Sequence, residues 1–326
     1  MKTKVILFLI AMVFFSLTLK ANSYYERGLE YFNEGNYSIA LEYLFKAVEQ
    51  EEISDAQLKI GWCYEYGNGI EQNPEAAAYW YQKAADQNNY VAQFNLGLCY
   101  YNGFGVPQDL TKAVFWFSES TENSPDETNN IFLRATTRLG MCYFYGTGVS
   151  QNFDIAFSLF FDGARYDNDD HTIAAKHLAD CYSKGLGTEQ DYNQAFFWAQ
   201  LASEGGDIDC LIYCAWCYYL GTGVEQNYEN AARYFTKAAE KGEARAQREL
   251  ARLYYFGEGV GNNKELATYW YKKAAEQGDA EAQFSLGYCY ENGLGVTKSI
   301  VNAKKWYKKA AAQGNDNAKE ALKKLK

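Results

Sequence analysis

Ala282-Gln283-Phe284-Ser285-Leu286-Gly287-Tyr288-Cys289-Tyr290-Glu291-Asn292-Gly293-Leu294-Gly295-Val296, followed after six residues by Ala303-Lys304-Lys305-Trp306-Tyr307-Lys308-Lys309-Ala310-Ala311-Ala312-Gln313-Gly314, holds one full copy of a pattern that fills the chain. In the second half, Ala303, Trp306, Tyr307, Ala310 and Ala311 fall at i, i+3, i+4, i+7 and i+8, one apolar stripe of a helix. Ala92, Leu96, Gly97, Cys99 and Tyr100 make the corresponding stripe in a first half. The Gly-x-Gly between the halves ends the first helix, because glycine accepts the left-handed conformation at a helix C-terminus. Each copy is therefore a helix hairpin.

Outward from this copy, Gly-x-Gly recurs with first glycines at 67, 103, 146, 185, 221, 257 and 293, at intervals of 36, 43, 39, 36, 36 and 36. A small residue precedes a tyrosine by three places at Gly28, Gly61, Gly97, Gly140, Ala179, Ala215, Ala251 and Gly287. A second small residue stands at Ala40, Ala77, Ala113, Ala156, Ala195, Ala231, Ala267 and Ala303, and from Gly61 onward it always follows the first by 16. One hairpin cannot bury both faces, so the expectation is an all-α stack of antiparallel hairpins, an α-solenoid superhelix. The length of 326 residues would otherwise suggest about two ordinary domains.

Composition narrows the function. Apolar residues make up 48 % and charged residues 22 %, which excludes general disorder. The net charge of −10 argues against affinity built on phosphate contacts, so no nucleic-acid partner is expected. The charge is uneven: residues 264–326 hold 12 lysines against 7 acids, and residues 22–263 hold 16 basic against 34 acidic residues. At the start, two lysines in Met1–Lys4, an apolar run over Val5–Leu19 and a small residue at Ala21 read as a signal peptide over residues 1–21. The run falls short of the roughly 20 residues of a spanning helix, so no stable membrane span is expected after cleavage.

The quoted stretch closely resembles the Sel1-like repeat, a subfamily of tetratricopeptide-like repeats, and the resemblance covers seven units over residues 54–314. It implies a right-handed superhelix. Residues 22–53, whose two small residues are 12 apart, resemble a plain tetratricopeptide hairpin, and residues 315–326 read as a lysine-rich cap helix. Polar, acidic insertions near 120–131 and 167–170 read as loops. The resemblance implies a non-enzymatic scaffold for a protein or peptide, and the signal peptide implies that it is secreted or periplasmic, or lumenal in the endoplasmic reticulum if the source is eukaryotic. Two alternatives stand beside it: a structural subunit that self-associates through its aromatic stripe, and a cell-wall or β-lactam hydrolase by analogy with some relatives.

Catalytic, metal and cofactor sites are not expected. No serine begins a Ser-x-x-Lys motif. His171 and His177 lie six apart and do not share a helix face. Six of the eight cysteines, Cys63, Cys99, Cys142, Cys181, Cys217 and Cys289, occupy one repeat position. Neighbouring helices stand about 8–10 Å apart, beyond disulfide reach, so buried free thiols are expected. A cysteine-rich branch of the family pairs cysteines between the two helices of a unit, but the second helices here contain none.

In tetratricopeptide-like arrays the first helices line the concave face, and the resemblance implies the same here. Positions three before, one after and four after the small residue then form a stripe toward the groove. The candidate binding residues on it are Trp62, Phe94, Tyr101, Phe144, Trp216, Tyr219, Arg248, Arg252, Tyr255 and Tyr288. Arg245, Arg248 and Arg252 could grip a carboxylate, or simply pair with Glu243 and Glu249.

Overall fold

The structure is a computed structural model that describes residue 20 and residues 22–325. The signal-peptide expectation falls outside the described residues, save for its Lys20. Among the described residues all regular structure is helical. First helices are α1 (22–33), α3 (Ser54–Tyr66), α5 (Tyr90–Asn102), α7 (Asn130–Tyr145), α9 (His171–Lys184), α11 (Ile208–Leu220), α13 (Ala244–Phe256) and α15 (Ala280–Asn292). Their partners are α2 (Tyr37–Gln50), α4 (Pro74–Ala85), α6 (Leu110–Glu122), α8 (Phe153–Gly163), α10 (Tyr192–Glu204), α12 (Tyr228–Glu240), α14 (Lys264–Glu276) and α16 (Ile300–Ala312). A last helix, α17 (Asp316–Lys324), covers the end of α16 with its buried Ala318. The chain divides into two compact units, one ending at His171 and one beginning at Thr172.

The repeat's punctuation works as local chemistry. Each first glycine that caps a first helix is left-handed, as at Gly103 with φ 71°, and its N–H donates to the helix's last turn. The second helices start on Asn73, Asp109, Asn152, Asp191, Asn227, Asn263 and Ser299, whose side chains accept from the first-turn backbone N–H groups. Between cap and start, Gln72, Gln108, Gln151, Gln190 and Gln226 each donate to a carbonyl in the last turn of the helix just ended. They stand 11 residues after the small residue of their unit, a periodic signal that the sequence reading passed over.

The second glycine of the turn joins one hairpin to the next. Gly105 has φ 69°, and a Cβ there would stand 1.9 Å from the carbonyl oxygen of Pro74, at the start of the preceding second helix. In the second unit the same holds for Gly223 against Tyr192 (2.0 Å) and Gly295 against Lys264 (2.0 Å). Only glycine permits this backbone approach together with this φ. Glutamines at the ends of the second helices add a polar link: Gln277 and Gln313 donate to the carbonyls of Gly242 and Gly278 at the end of the hairpin before, at 2.8 and 2.9 Å, and to the buried Gln247 and Gln283 of their own hairpins, both at 2.9 Å.

In every hairpin but that of α9 and α10, a large side chain of the second helix, four places after its small alanine, lies over the first helix. It is Leu44, Tyr81, Phe117 or Phe160 in the first unit, and Phe235, Tyr271 or Tyr307 in the second, all buried. The tyrosine hydroxyls at Tyr81 and Tyr307 donate to Glu65 and Glu291, at 2.5 and 2.6 Å. The eight cysteines are buried free thiols. Burial pushes Cys63 and Cys217 up to about 11, and Cys99, Cys181 and Cys214 up to about 12, from an ordinary 9.0.

Two outcomes follow from these contacts. Gly105→Ala should lower stability by more than the roughly 1–2 kcal/mol of the left-handed conformation alone, whereas Gly242→Ala, with φ 95° and nothing within 4 Å, should cost no more than that. Urea midpoints of the two variants decide this. The thiols keep their protons in the folded chain above the pH at which the unfolded chain ionises, so their contribution is complete below about pH 8.5 and lost as pH rises toward the folded values. Buried Tyr81, Tyr271 and Tyr307 are shifted upward too and act in the same direction. The urea midpoint should fall steadily from about pH 8.5 upward; a flat profile would contradict the burial of the thiols.

Candidate functional site

In four hairpins the residue four places after the small residue of the first helix meets the ring from its own second helix. Where the ring is Tyr81 or Tyr307 the partner is Glu65 or Glu291, while Tyr255 holds that place in the hairpin of Tyr271. Where it is phenylalanine the partner is aromatic: Tyr101 lies 6.4 Å from Phe117 and Phe144 lies 5.9 Å from Phe160. The residue three before the small one touches the same ring, as Phe94 on Phe117 (5.9 Å) and Phe284 on Tyr307 (5.6 Å). Two expected groove residues are corrected by this. Phe94 is 1 % exposed and Phe144 9 %, so both are core side chains, held there by the packing of their own hairpin.

The other candidates lie as follows. Trp62 is half-buried in a cluster with Phe32, Tyr37 and Tyr66, with ring centroids 5.0–5.6 Å away. Trp216 is half-buried against Tyr219 and Phe235. Tyr219 packs on Tyr228 at 5.0 Å and under the Arg252 guanidinium at 4.8 Å. Arg248 pairs with Glu249 at 2.9 Å and Asp279 at 2.8 Å, and Arg252 with Glu249 at 3.0 Å and Glu258 at 3.4 Å. Glu249, 7 % exposed, is thus clamped between the two guanidiniums. Of the two pairings expected from sequence, Glu249 is found, with Asp279 and Glu258 in addition. These arginines are neutralised from within.

Three of the candidates do come together. Arg252, Tyr255 and Tyr288 line a cleft of about 480 Å³ between α13 and α15, with Phe256, Phe284 and Ser285 on its walls and Tyr271 and Cys289 at its base. Burial, with Tyr288 beside it, raises the Tyr255 hydroxyl. The Lys264 ammonium stands 3.5 Å over the Tyr255 ring and donates to the Tyr255 carbonyl. The walls are aromatic and the one lining charge, Arg252, is already paired, so the cleft suits an apolar or aromatic side chain. Among the described residues no group of His, Cys, Asp or Glu side chains is placed to hold a metal. His177 is buried, with Nδ1 2.8 Å from the Ile173 carbonyl; burial lowers its basicity.

A further aromatic population escaped the sequence reading. Tyr79 and Phe115 in the first unit, and Phe197 and Tyr269 in the second, stand exposed two places after the small alanine of their second helices. Their shared spacing was the available signal.

Comparison with known proteins agrees with the hairpin geometry. The Sel1 repeat matches eight stretches, residues 21–51, 54–89, 91–124, 133–161, 172–207, 208–243, 244–279 and 280–315. The chain belongs to the Sel1 repeat family. The match includes residues 21–51, which their shorter spacing sets apart from the other seven. Among solved structures, the chain is similar to a protective antigen of uropathogenic Escherichia coli strains that displays an SLR fold, at 33 % identity and a TM-score of 0.77, over 87 % of this chain and 59 % of the antigen. It thus spans well under two thirds of that protein. It is also similar to a Sel1 repeat protein from Oxalobacter formigenes, at 29 % identity and a TM-score of 0.64, over 94 % of this chain and 87 % of that one. Pseudomonas aeruginosa PilF, at 21 % identity and a TM-score of 0.52 over 73 % of this chain and 99 % of PilF, shares the fold alone. A search of curated proteins gave no match. Sel1 repeat proteins act generally as scaffolds for protein–protein interaction.

Proposed function

We propose that this Sel1 repeat chain is a non-enzymatic, secreted or periplasmic scaffold that holds a protein or peptide partner by an apolar or aromatic side chain seated between α13 and α15. The observation that carries this is the cleft itself, with four aromatic rings lining its walls and a base formed by Tyr271 and Cys289. Aromatic side chains bury much area at low entropic cost, and such pockets are where interface energy concentrates. The location rests on the lysines and apolar run of residues 1–21.

A second reading, self-association, is favoured by the exposed rings of Tyr79, Phe115, Phe197 and Tyr269. Light scattering on the purified chain separates the two, because a monodisperse monomer excludes the second.

Affinity capture from the native envelope or secretome should retain a partner that Tyr288→Ala and Tyr255→Ala each weaken at least tenfold; undiminished capture by both variants overturns the cleft reading. N-terminal sequencing of the protein from its native source should begin at or near Asn22, and a chain retaining Met1 through Lys20 would overturn the secreted or periplasmic location.

A further inference from the structure

The hairpin of α9 and α10 departs from the others at the one position that fills its interior. Leu44, Tyr81, Phe117, Phe160, Phe235, Tyr271 and Tyr307 occupy that place elsewhere, but here it is Ala199. The consequence is a cavity of about 270 Å³ within the second unit, lined by Lys176, Ala179, Asp180 and Ser183 of α9, Ala199 of α10, and Asp209, Cys210 and Tyr213 of α11. Ala179, Ser183 and Ala199 are the counterparts of Gly61, Glu65 and Tyr81, that is, of the small residue under a ring, the residue at its hydroxyl end and the ring itself. Lys176 is the counterpart of Phe94 and Phe284, which both touch that ring. The hole therefore has the walls of a ring site without the ring.

Its polar fittings suit a hydroxyl. Ser183 replaces the glutamate that receives the tyrosine hydroxyl in two other hairpins; its own hydroxyl donates to the Asp180 carbonyl at 3.1 Å, which leaves its oxygen to accept. Asp180 is tied to Lys184 at 2.8 Å, and Lys176 is held by Asp207 at 3.0 Å and Asp209 at 2.6 Å, so each charge at the rim has a partner before anything enters. The buried Tyr213 hydroxyl has no oxygen or nitrogen partner. Ala179, Ala199 and Cys210 supply an apolar floor.

We propose that this socket binds a phenol ring, either a free phenol or the side chain of a tyrosine, in the place where other hairpins carry their own ring. It is separate from the α13–α15 cleft, and neither reading depends on the other. An apolar cavity of smaller size can take up benzene, and the hydroxyl adds the specificity.

Titration calorimetry of the full chain with p-cresol should show saturable binding at one site. Ala199→Phe and Ala199→Leu should each weaken it at least tenfold and raise the thermal midpoint by roughly 2 °C or more, as the vacancy is filled. Leucine serves as the second variant because Leu44 already occupies this position in the first hairpin. Toluene should bind at least tenfold more weakly than p-cresol. Absence of saturable p-cresol binding, binding unchanged by Ala199→Leu, or toluene equal to p-cresol would each overturn the proposal. N-acetyl-tyrosinamide distinguishes the sources: competition with p-cresol points to a tyrosine side chain, and exclusion points to a free phenol.

Discussion

The contact on which the array depends is between two stretches of backbone. Within each unit the second glycine of a turn lies so close to the backbone at the start of the preceding second helix that a single methyl group would not fit, 1.9 Å at Gly105 against Pro74. The contact fixes where a hairpin begins relative to the one before it in the same unit. It explains why a glycine is required at that place while the residue between the two glycines varies freely among Asn68, Phe104, Thr147, Thr222, Glu258 and Leu294. The first glycine has a different duty, closing its own helix in the left-handed conformation. The flanking glutamine and the capping Asn, Asp or Ser then satisfy the backbone groups that the turn exposes.

Where a hairpin carries the buried ring, it sets a second constraint that reaches further than its own helix. A tyrosine brings a buried hydroxyl that must find an acceptor, which Glu65 and Glu291 provide; a phenylalanine brings none, and aromatic partners take the glutamate's place. Groove chemistry and core packing are therefore not independent. Phe144 is aromatic because Phe160 is beneath it, and nothing about a ligand follows from it. Tyr255 stands over Tyr271 without a carboxylate between them, and there the hairpins open into the α13–α15 cleft.

The arginines show the same economy of charge. Arg248 and Arg252 close on the largely buried Glu249, and each guanidinium has a second carboxylate, Asp279 or Glu258, so no charge here is left unpaired in a poorly hydrated place. Their role is to hold α13 to its neighbours and to shape one wall of the cleft. The acidic excess of the chain lies elsewhere, on caps, loops and exposed helix faces.

From sequence alone the repeat, the hairpin, the helix ends and the buried free thiols were all legible, because each is written in regular spacings: glycine at a helix end, alanine every 36 to 43 residues, cysteine two after the small residue. Arg252, Tyr255 and Tyr288 were legible as candidates for the same reason, being periodic positions beside the buried stripe. The tertiary structure decided which of those positions remain open. Phe94 and Phe144 turned inward because rings some 16 to 23 residues away, on another helix, sit against them, and helical periodicity carries no information about that partner. The hollow at Ala199 was likewise invisible as a local feature. An alanine in a helix is ordinary, and only the walls around it, built for a ring, make its small size a property of the site.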